Sequence, residues 1–365
     1  MVSAGYSQNV AWGNETTYGS TATINKDLGV VQSISPGEKS NLMKLRTLGG
    51  NRDYKTVIPG KFEISGSMEY YLQGGAFLRQ AWGEDTGTTA TVDSGPKIIA
   101  TTTYKHIMGS ADSPGVNSFP SFTLEFTDYE DSGATSATAN LKRTYTGCRV
   151  DNLTISGTVD EPVKVSVDWM SKKVSLGTGA ATSITEYATD PFIFYEGAVF
   201  LTSGAVTSDT TQATLKADDS DVCQVLSFDF GIANNVEAGW YISGTCSTRD
   251  SVRGAKYIIP KGRDYSLSLG LHYKNKEMYQ RFLGSMTATT DQKDPDKFQV
   301  VLDMVKTGTV GDADEGDHYL RIIAASALFD DAGINGAPED IVNNDVTVFM
   351  KSAKAFFVDN VSSYE

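Results

Sequence analysis

The residue types that ordinarily carry chemistry are few and scattered in this chain. Its histidines, His106, His272 and His318, stand far apart, with no HxxxH or HExxH spacing to set two imidazoles around zinc. Cys148, Cys223 and Cys246 include no CxxC pair. No basic signature beside Cys148 would lower its thiol into the nucleophilic range. An odd cysteine count argues against a disulfide framework and suits a reducing compartment. No GxSxG, P-loop or strand-to-helix GxGxxG is spelled out. The best cation candidate is Asp312-Ala-Asp-Glu-Gly-Asp317, whose alternate carboxylates could converge on calcium. It lacks the closing acid of a full calcium loop, so an ordinary solvated loop is the stronger reading. The expectation is a protein that is not an enzyme and holds no cofactor or metal.

Charge is more informative. The chain has 365 residues with Lys+Arg 31 against Asp+Glu 45, a formal net charge of -14. Such a chain cannot grip nucleic acid by neutralising phosphates, and an anionic membrane surface repels it equally. Yet the basic residues are bunched. Lys39, Lys44, Arg46, Arg52, Lys55 and Lys61 crowd one segment, and Arg249, Arg253, Lys256, Lys261 and Arg263 crowd another. Basic segments on an acidic body suit docking arms for an identical acidic neighbour. Two ordinary solvated loops are the competing reading.

The elements that position these segments read as mainly β. Phe122-Thr-Leu-Glu-Phe126, Val163-Lys-Val-Ser-Val-Asp-Trp169, Tyr265-Ser-Leu-Ser-Leu-Gly-Leu271 and Val346-Thr-Val348 alternate apolar with polar residues. That period, with β-branched and aromatic residues, predicts half-buried antiparallel strands. Helical pattern is confined to Gly75–Trp82 and Lys276–Leu283, each closed by a glycine, Gly83 or Gly284, in the position past the helix end. Met1-Val-Ser-Ala-Gly5 has neither a basic start nor an apolar run, and no stretch approaches the ~20 apolar residues of a membrane span. The chain is expected to be cytosolic when made.

The two helices belong to an internal repeat. Val57-Ile-Pro-Gly-Lys-Phe-Glu-Ile-Ser-Gly-Ser-Met68, helix, Gly83 aligns without a gap on Ile258-Ile-Pro-Lys-Gly-Arg-Asp-Tyr-Ser-Leu-Ser-Leu269, helix, Gly284. Upstream, Leu28-Gly-Val-Val31 resembles Phe230-Gly-Ile-Ala233. Downstream, Pro162–Val167 has a counterpart around Val346–Met350. The expectation is two homologous β-domains in tandem, 1–190 and 191–365, each with a short flanking helix and with the seam near Asp190-Pro191. The two basic segments then fall at equivalent places.

At this point the residues resemble a family. Ala11-Trp-Gly-Asn-Glu-Thr-Thr-Tyr-Gly19 is similar to the N-terminal signature of tail tube proteins of long-tailed viruses of bacteria and archaea. Gly60–Met68 followed by a helix resembles that family's strand-then-helix unit. Tyr145–Ser156 through Glu161-Pro-Val-Lys-Val165 resembles its closing hairpin. The resemblance implies a β-sandwich or partly closed barrel whose copies form a six-domain ring, with inner strands joined into one lumenal barrel. It also implies stacking into a virion tail tube through a long loop between early strands. Implied partners are the chain itself, the tape measure, tail terminator and distal tail proteins, and double-stranded DNA passing an acidic bore without specific binding. Most members carry one domain; two per chain implies rings of three chains with pseudo-sixfold symmetry. Segments 39–61 and 249–263 would be the stacking loops. Other readings are a distal-tail or tail-tip ring that does not polymerise, or a host-surface or carbohydrate-binding β-sandwich. The last would want an aromatic platform, whereas Trp12, Trp82, Trp169 and Trp240 are spread singly.

Overall fold

The computed structural model describes residues 8–48, 52–83, 88–89, 104–109, 119–129, 139–177, 182–184, 186–187, 189–207, 215, 222, 224–241, 253–273, 276–306, 318–335, 342–359, 361 and 363–364. The Asp312–Asp317 loop, Arg249, Cys223 and Cys246 lie outside them. Strands account for 59% of the chain and helices for 6%, so the fold is mainly β, as the alternation predicts.

In chain order the first half contributes β1 (Gln8–Asn14), β2 (Val31–Leu45), β3 (Thr56–Tyr71), α1 (Arg79–Trp82), β4 (Thr88–Thr89), β5 (Tyr104–Met108), β6 (Phe122–Tyr129), β7 (Ala139–Thr158), β8 (Lys164–Ser171) and β9 (Lys173–Gly177). The second half contributes β10 (Gly197–Thr202), β11 (Val225–Ala233), β12 (Glu237–Gly239), β13 (Tyr257–Ile259), β14 (Asp264–His272), α2 (Glu277–Leu283), β15 (Phe298–Val305), β16 (Tyr319–Asn335), β17 (Asn343–Met350) and β18 (Ser352–Asp359).

One antiparallel pairing pattern occurs twice. In the first half β2-β3-β8-β7 form one layer, and β1-β6-β7-β9 form the other, with long β7 shared by both. In the second half β11-β14-β17-β16 and β10-β15-β16-β18 repeat this with β16 in the shared role. β7 also pairs with β11, Leu153 opposite Ile232 and Ile155 opposite Phe230, so the two inner layers fuse into one run, β2-β3-β8-β7-β11-β14-β17-β16. Each shared strand bulges at the same place against its neighbour, at Asp151 in β7 and at Asp330 in β16. A bulge bends the strand and lets it pass from one layer to the other.

Burial follows the pleat. In β14, Tyr265, Leu267, Leu269 and Leu271 face the core; in β8, Val165, Val167 and Trp169 do so while Ser166 and Asp168 face solvent. β6 departs from the expected alternation, because Thr123 and Glu125 are buried as well as Phe122, Leu124 and Phe126. Its outer face is covered: Thr123 donates to Glu15, and Glu125 accepts from Thr182 and pairs with Lys142 at 2.9 Å. The core itself runs through both halves and is anchored by edge-to-face aromatics, Trp12 on Phe77 and Phe122, and Tyr145 on Trp169.

Two expectations change in detail. The first helix is a single turn, Arg79–Trp82, with a turn at 75–78 before it. Gly75 lies so close to Phe357 that a Cβ would stand 2.4 Å from that ring, so the turn before the helix has no room for a side chain there. Both helices do end on a glycine with positive φ, 102° at Gly83 and 124° at Gly284. The upstream match also shifts. Ile34 stands opposite Met68 as Phe228 stands opposite Leu269, so Ile34 is the counterpart of Phe228, and Leu28 lies before the strand altogether. Downstream, Val167 opposite Met68 corresponds to Val346 opposite Leu269, which matches β8 to β17 in a firm register. Contacts also link residues before and after 190. β5 pairs with β18, Met108 opposite Ala355, and the carbonyl of Tyr364 accepts from Asn14 and from Lys26.

Candidate assembly surfaces

The N-terminal signature fixes the first half. Trp12 is buried and donates its indole N–H to the Asp27 carbonyl at 2.9 Å. Glu15 is a hub: one carboxylate oxygen accepts from the Gly19 amide (2.8 Å) and Ser121 hydroxyl (2.7 Å), the other from Thr123 (2.9 Å) and the Gly147 amide (2.6 Å). Tyr18 lies under the Arg149 guanidinium, 4.5 Å from ring centroid to Cζ, and burial pushes its phenol up to about 12. These residues lock loops to β6 and β7 and face no open pocket.

Among the described histidines and cysteines, His106, His318 and Cys148 are buried and His272 is half-buried. His106 is buried, stacked on Tyr364 with centroids 3.5 Å apart and bonded to the Val361 carbonyl. His272 Nδ1 meets Asn343 at 3.1 Å, and His318 is buried at the start of β16. Burial pushes the Cys148 thiol well above its ordinary range, the opposite of nucleophile activation. Among the described residues no group of histidine, cysteine and carboxylate side chains could hold a metal ion. Among the described residues no helix is long and apolar enough to cross a membrane.

The first basic segment is an arm. β3 pairs with β8 only from Ile64 onward, so residues 39–45 and 56–63 project as a two-stranded ribbon beyond the sheet. Lys39 and Lys44 stand on β2, Arg46, Arg52 and Lys55 near its tip, all exposed. The Arg46 guanidinium lies 4.6 Å and the Lys44 ammonium 5.5 Å from the Tyr54 ring. Leu42, Met43, Leu45, Val57 and Ile58 are all more than two-fifths exposed, and the register puts Leu42 and Val57 on one face and Met43 and Ile58 on the other.

The second basic segment splits. Arg253 folds onto the arm's base, donating to the Gly60 carbonyl at 2.7 Å and to the Ser40 hydroxyl, while its own carbonyl accepts from Phe62. Lys61 sits over Trp240 at 4.5 Å, Lys261 pairs with Glu237, and the Lys256 amide bonds Gly239. Arg263 turns inward to the seam, 2.8 Å from Asn234 Oδ1 and 3.1 Å from the Trp82 carbonyl.

That seam was not visible in the sequence. Besides the β7–β11 pairing, Asp151 accepts the Asn234 amide on its carbonyl (2.8 Å) and the Val236 amide on its carboxylate (2.9 Å). Asn234 donates to the carbonyls of Ala81 (3.2 Å) and Val150 (3.3 Å), and Trp82 stacks on Phe230. Both ends of the fused layer are open. Among the described residues, β2 pairs with β3 alone, and β16 from Leu328 on pairs with β17 alone.

The solvent face of that layer has its own composition. It presents Ser33, Ser35, Ser65, Ser67, Ser166, Thr154, Ser156, Ser227, Ser266, Ser268 and Thr347, with the carboxylates Glu69, Asp168, Asp229, Asp331 and Asp345. Lys39 and Lys164 are its lysines and Phe349 its large exposed apolar side chain.

A family model described as phage tail tube protein matches residues 5–348, nearly the whole chain. No curated protein sequence matches it.

Proposed function

The chain belongs to the phage tail tube protein family, structural proteins of the virion, and from that premise we propose that three copies close into a ring of six similar units that stacks into the tube. The observation that carries this is the fused layer: one unit already pairs with the next through β7 and β11, and the same two kinds of edge stand open at its ends. An open edge exposes unpaired amides and carbonyls, and a heterologous contact repeated around an axis satisfies them all at ring closure. Residues 1–190 and 191–365 are read as duplicated units, on the strength of the repeated pairing pattern and the paired bulges. No catalysis enters this role.

The serine, threonine and carboxylate face is assigned to the bore. Small hydroxyls offer no bulk, and carboxylates repel the phosphates of a DNA duplex that must pass during ejection. The arm beyond its base, with Lys44, Arg46, Arg52 and Lys55, is assigned to stacking on the next ring and to contacts with tail terminator or distal tail proteins at the tube ends, and Lys39 at the base to the open edge of β2. Of the second set, Lys256 and Lys261 remain candidates at the surface, whereas Arg253 and Arg263 act inside the chain by bonding the arm base and the seam. Electron microscopy with native mass measurement tests the reading. Tubes, or rings of three chains with six lobes, are expected; a chain that stays monomeric at high concentration under all salt conditions would remove it.

A further inference from the structure

The two helices occupy matching places and differ sharply in exposure. α1 rests on β7 and α2 on β16, the two shared strands. In the gapless alignment of the halves, Tyr279 and Phe282 of α2 match Leu78, just before α1, and Ala81 within it. Leu78 and Ala81 are fully buried, whereas Tyr279 is 42% and Phe282 37% exposed, with Met286 beside them at 51%. Part of the cover over α1 is identifiable: it is the second half of the same chain, through Phe230 on Trp82, Asn234 on the Ala81 carbonyl and Arg263 on the Trp82 carbonyl.

The bulges show the same asymmetry. Asp151 is the clamp of the seam, taking two backbone amides from the start of the second half's arm region. Its counterpart Asp330 is exposed. The strand registers specify what would meet it. Ala233 opposite Asn152 translates to Lys39 opposite Asp331, and Asn234 translates to Ser40, at the base of the first half's arm. Lys39 and Asp331 are both exposed and of opposite charge.

Resting on the ring reading above, we infer that the exposed face of α2 with Asp330 is the docking site for the arm base of a second copy, centred on its Pro36, Ser40 and Phe62. Asp330 takes the backbone amide of Ser40 on its carbonyl, as Asp151 takes that of Asn234, and its carboxylate takes an amide further along the arm, as the Asp151 carboxylate takes that of Val236, while Tyr279 and Phe282 are covered as Leu78 and Ala81 are covered within the chain. Lys39 lies across from Asp331 in a close, non-hydrogen-bonded pair, because the Asn234 amide, one residue on from Ala233, is the one that points at β7. Pro36 takes the place of Phe230 and has no amide to give, so this junction carries one hydrogen bond fewer than the internal seam. That makes it the weaker of the two seams, suited to forming last.

The test uses the full chain in two arms. Lys39→Cys with Asp331→Cys reports ring closure: oxidation is expected to give a covalent closed three-chain species that neither single variant gives. Asp330→Ala with Phe282→Ser tests the docking site. Both side chains are exposed, so the variant's circular dichroism and melting should match the parent, while the concentration needed for rings rises at least tenfold. Rings at the parent's concentration would overturn the α2 docking site even if the cysteine pair cross-links. A parent chain that gives neither rings nor the closed cross-linked species would overturn the ring reading and the docking site with it.

Discussion

Trp82 and Phe230 lie flat on one another, ring centroids 5.7 Å apart and planes within 5° of parallel, one from the first half's helical turn and the other from β11 of the second half. This stack sits where the two repeated units meet, and both rings are almost wholly buried. Trp82→Ala is therefore expected to cost about 3–5 kcal/mol, the usual range for emptying a buried aromatic site. Urea unfolding of the monomer measures it. A loss below ~1 kcal/mol would mean that the halves do not depend on this contact.

Asp151 should behave unlike its counterpart Asp330. Its carboxylate holds the Val236 amide at 2.9 Å, so Asp151→Ala strips a partner from a half-buried backbone group. A cost of about 1–3 kcal/mol to the monomer follows. Asp330→Ala, at an exposed position, should leave the same melt within about 0.5 kcal/mol. Equal destabilisation by the two would contradict the assignment of one to an internal seam and the other to an open one.

Strands with one wet face were legible because burial imposes a period of two: β8 and β14 read directly from Val163–Trp169 and Tyr265–Leu271. β6 misled because Glu125 and Thr123 look solvent-facing by type, and their partners Glu15, Lys142 and Thr182 come from distant sequence. The start of β2 misled in register because Leu28-Gly-Val-Val31 carries the apolar spacing that the strand's own alternate positions Ile34, Pro36 and Glu38 lack. The basic clusters were visible as charge. That Arg253 and Arg263 satisfy the carbonyls of Gly60 and Trp82 depends on the tertiary fold, which a lone sequence does not carry.

Arg321 and Asp303 form a pair that no sequence pattern announced. Both are fully buried between β15 and β16, with two parallel contacts of 2.7 Å. Such a pair contributes little net stability, yet breaking it strands a charge in the interior. Asp303→Ala is expected to destabilise the monomer by about 3–5 kcal/mol. Calorimetry of the purified variant checks this. A melt within a degree or two of the parent would show that water reaches the guanidinium.

Charge reversal probes the register of the proposed ring junction without altering either side's shape. Lys39→Glu faces Asp331 with a like charge, and Asp331→Lys does the converse. A cross-strand ion pair contributes about 0.2–1 kcal/mol, and three junctions per ring multiply the effect. Each single variant should raise the concentration needed for ring formation, and the double variant should restore it. Native mass spectrometry reads the ring fraction directly. Singles and double that assemble alike would show that these residues are not across from one another.

The arm should govern stacking and leave ring closure intact. A two-stranded ribbon with apolar side chains on both faces is marginal alone in water, so Leu42, Val57, Met43 and Ile58 need burial on two sides. Around them Lys44, Arg46 and Arg52 provide positive charge toward an acidic neighbour. Reversing these three to glutamate should leave three-chain rings in place and shorten or abolish tubes. The loss should be greatest at low ionic strength, where repulsion between like charges is least screened. Negative-stain microscopy scores tube length against ring count in the same field. Tubes of unchanged length would detach the arm from stacking, and loss of the rings themselves would move it to the lateral junction.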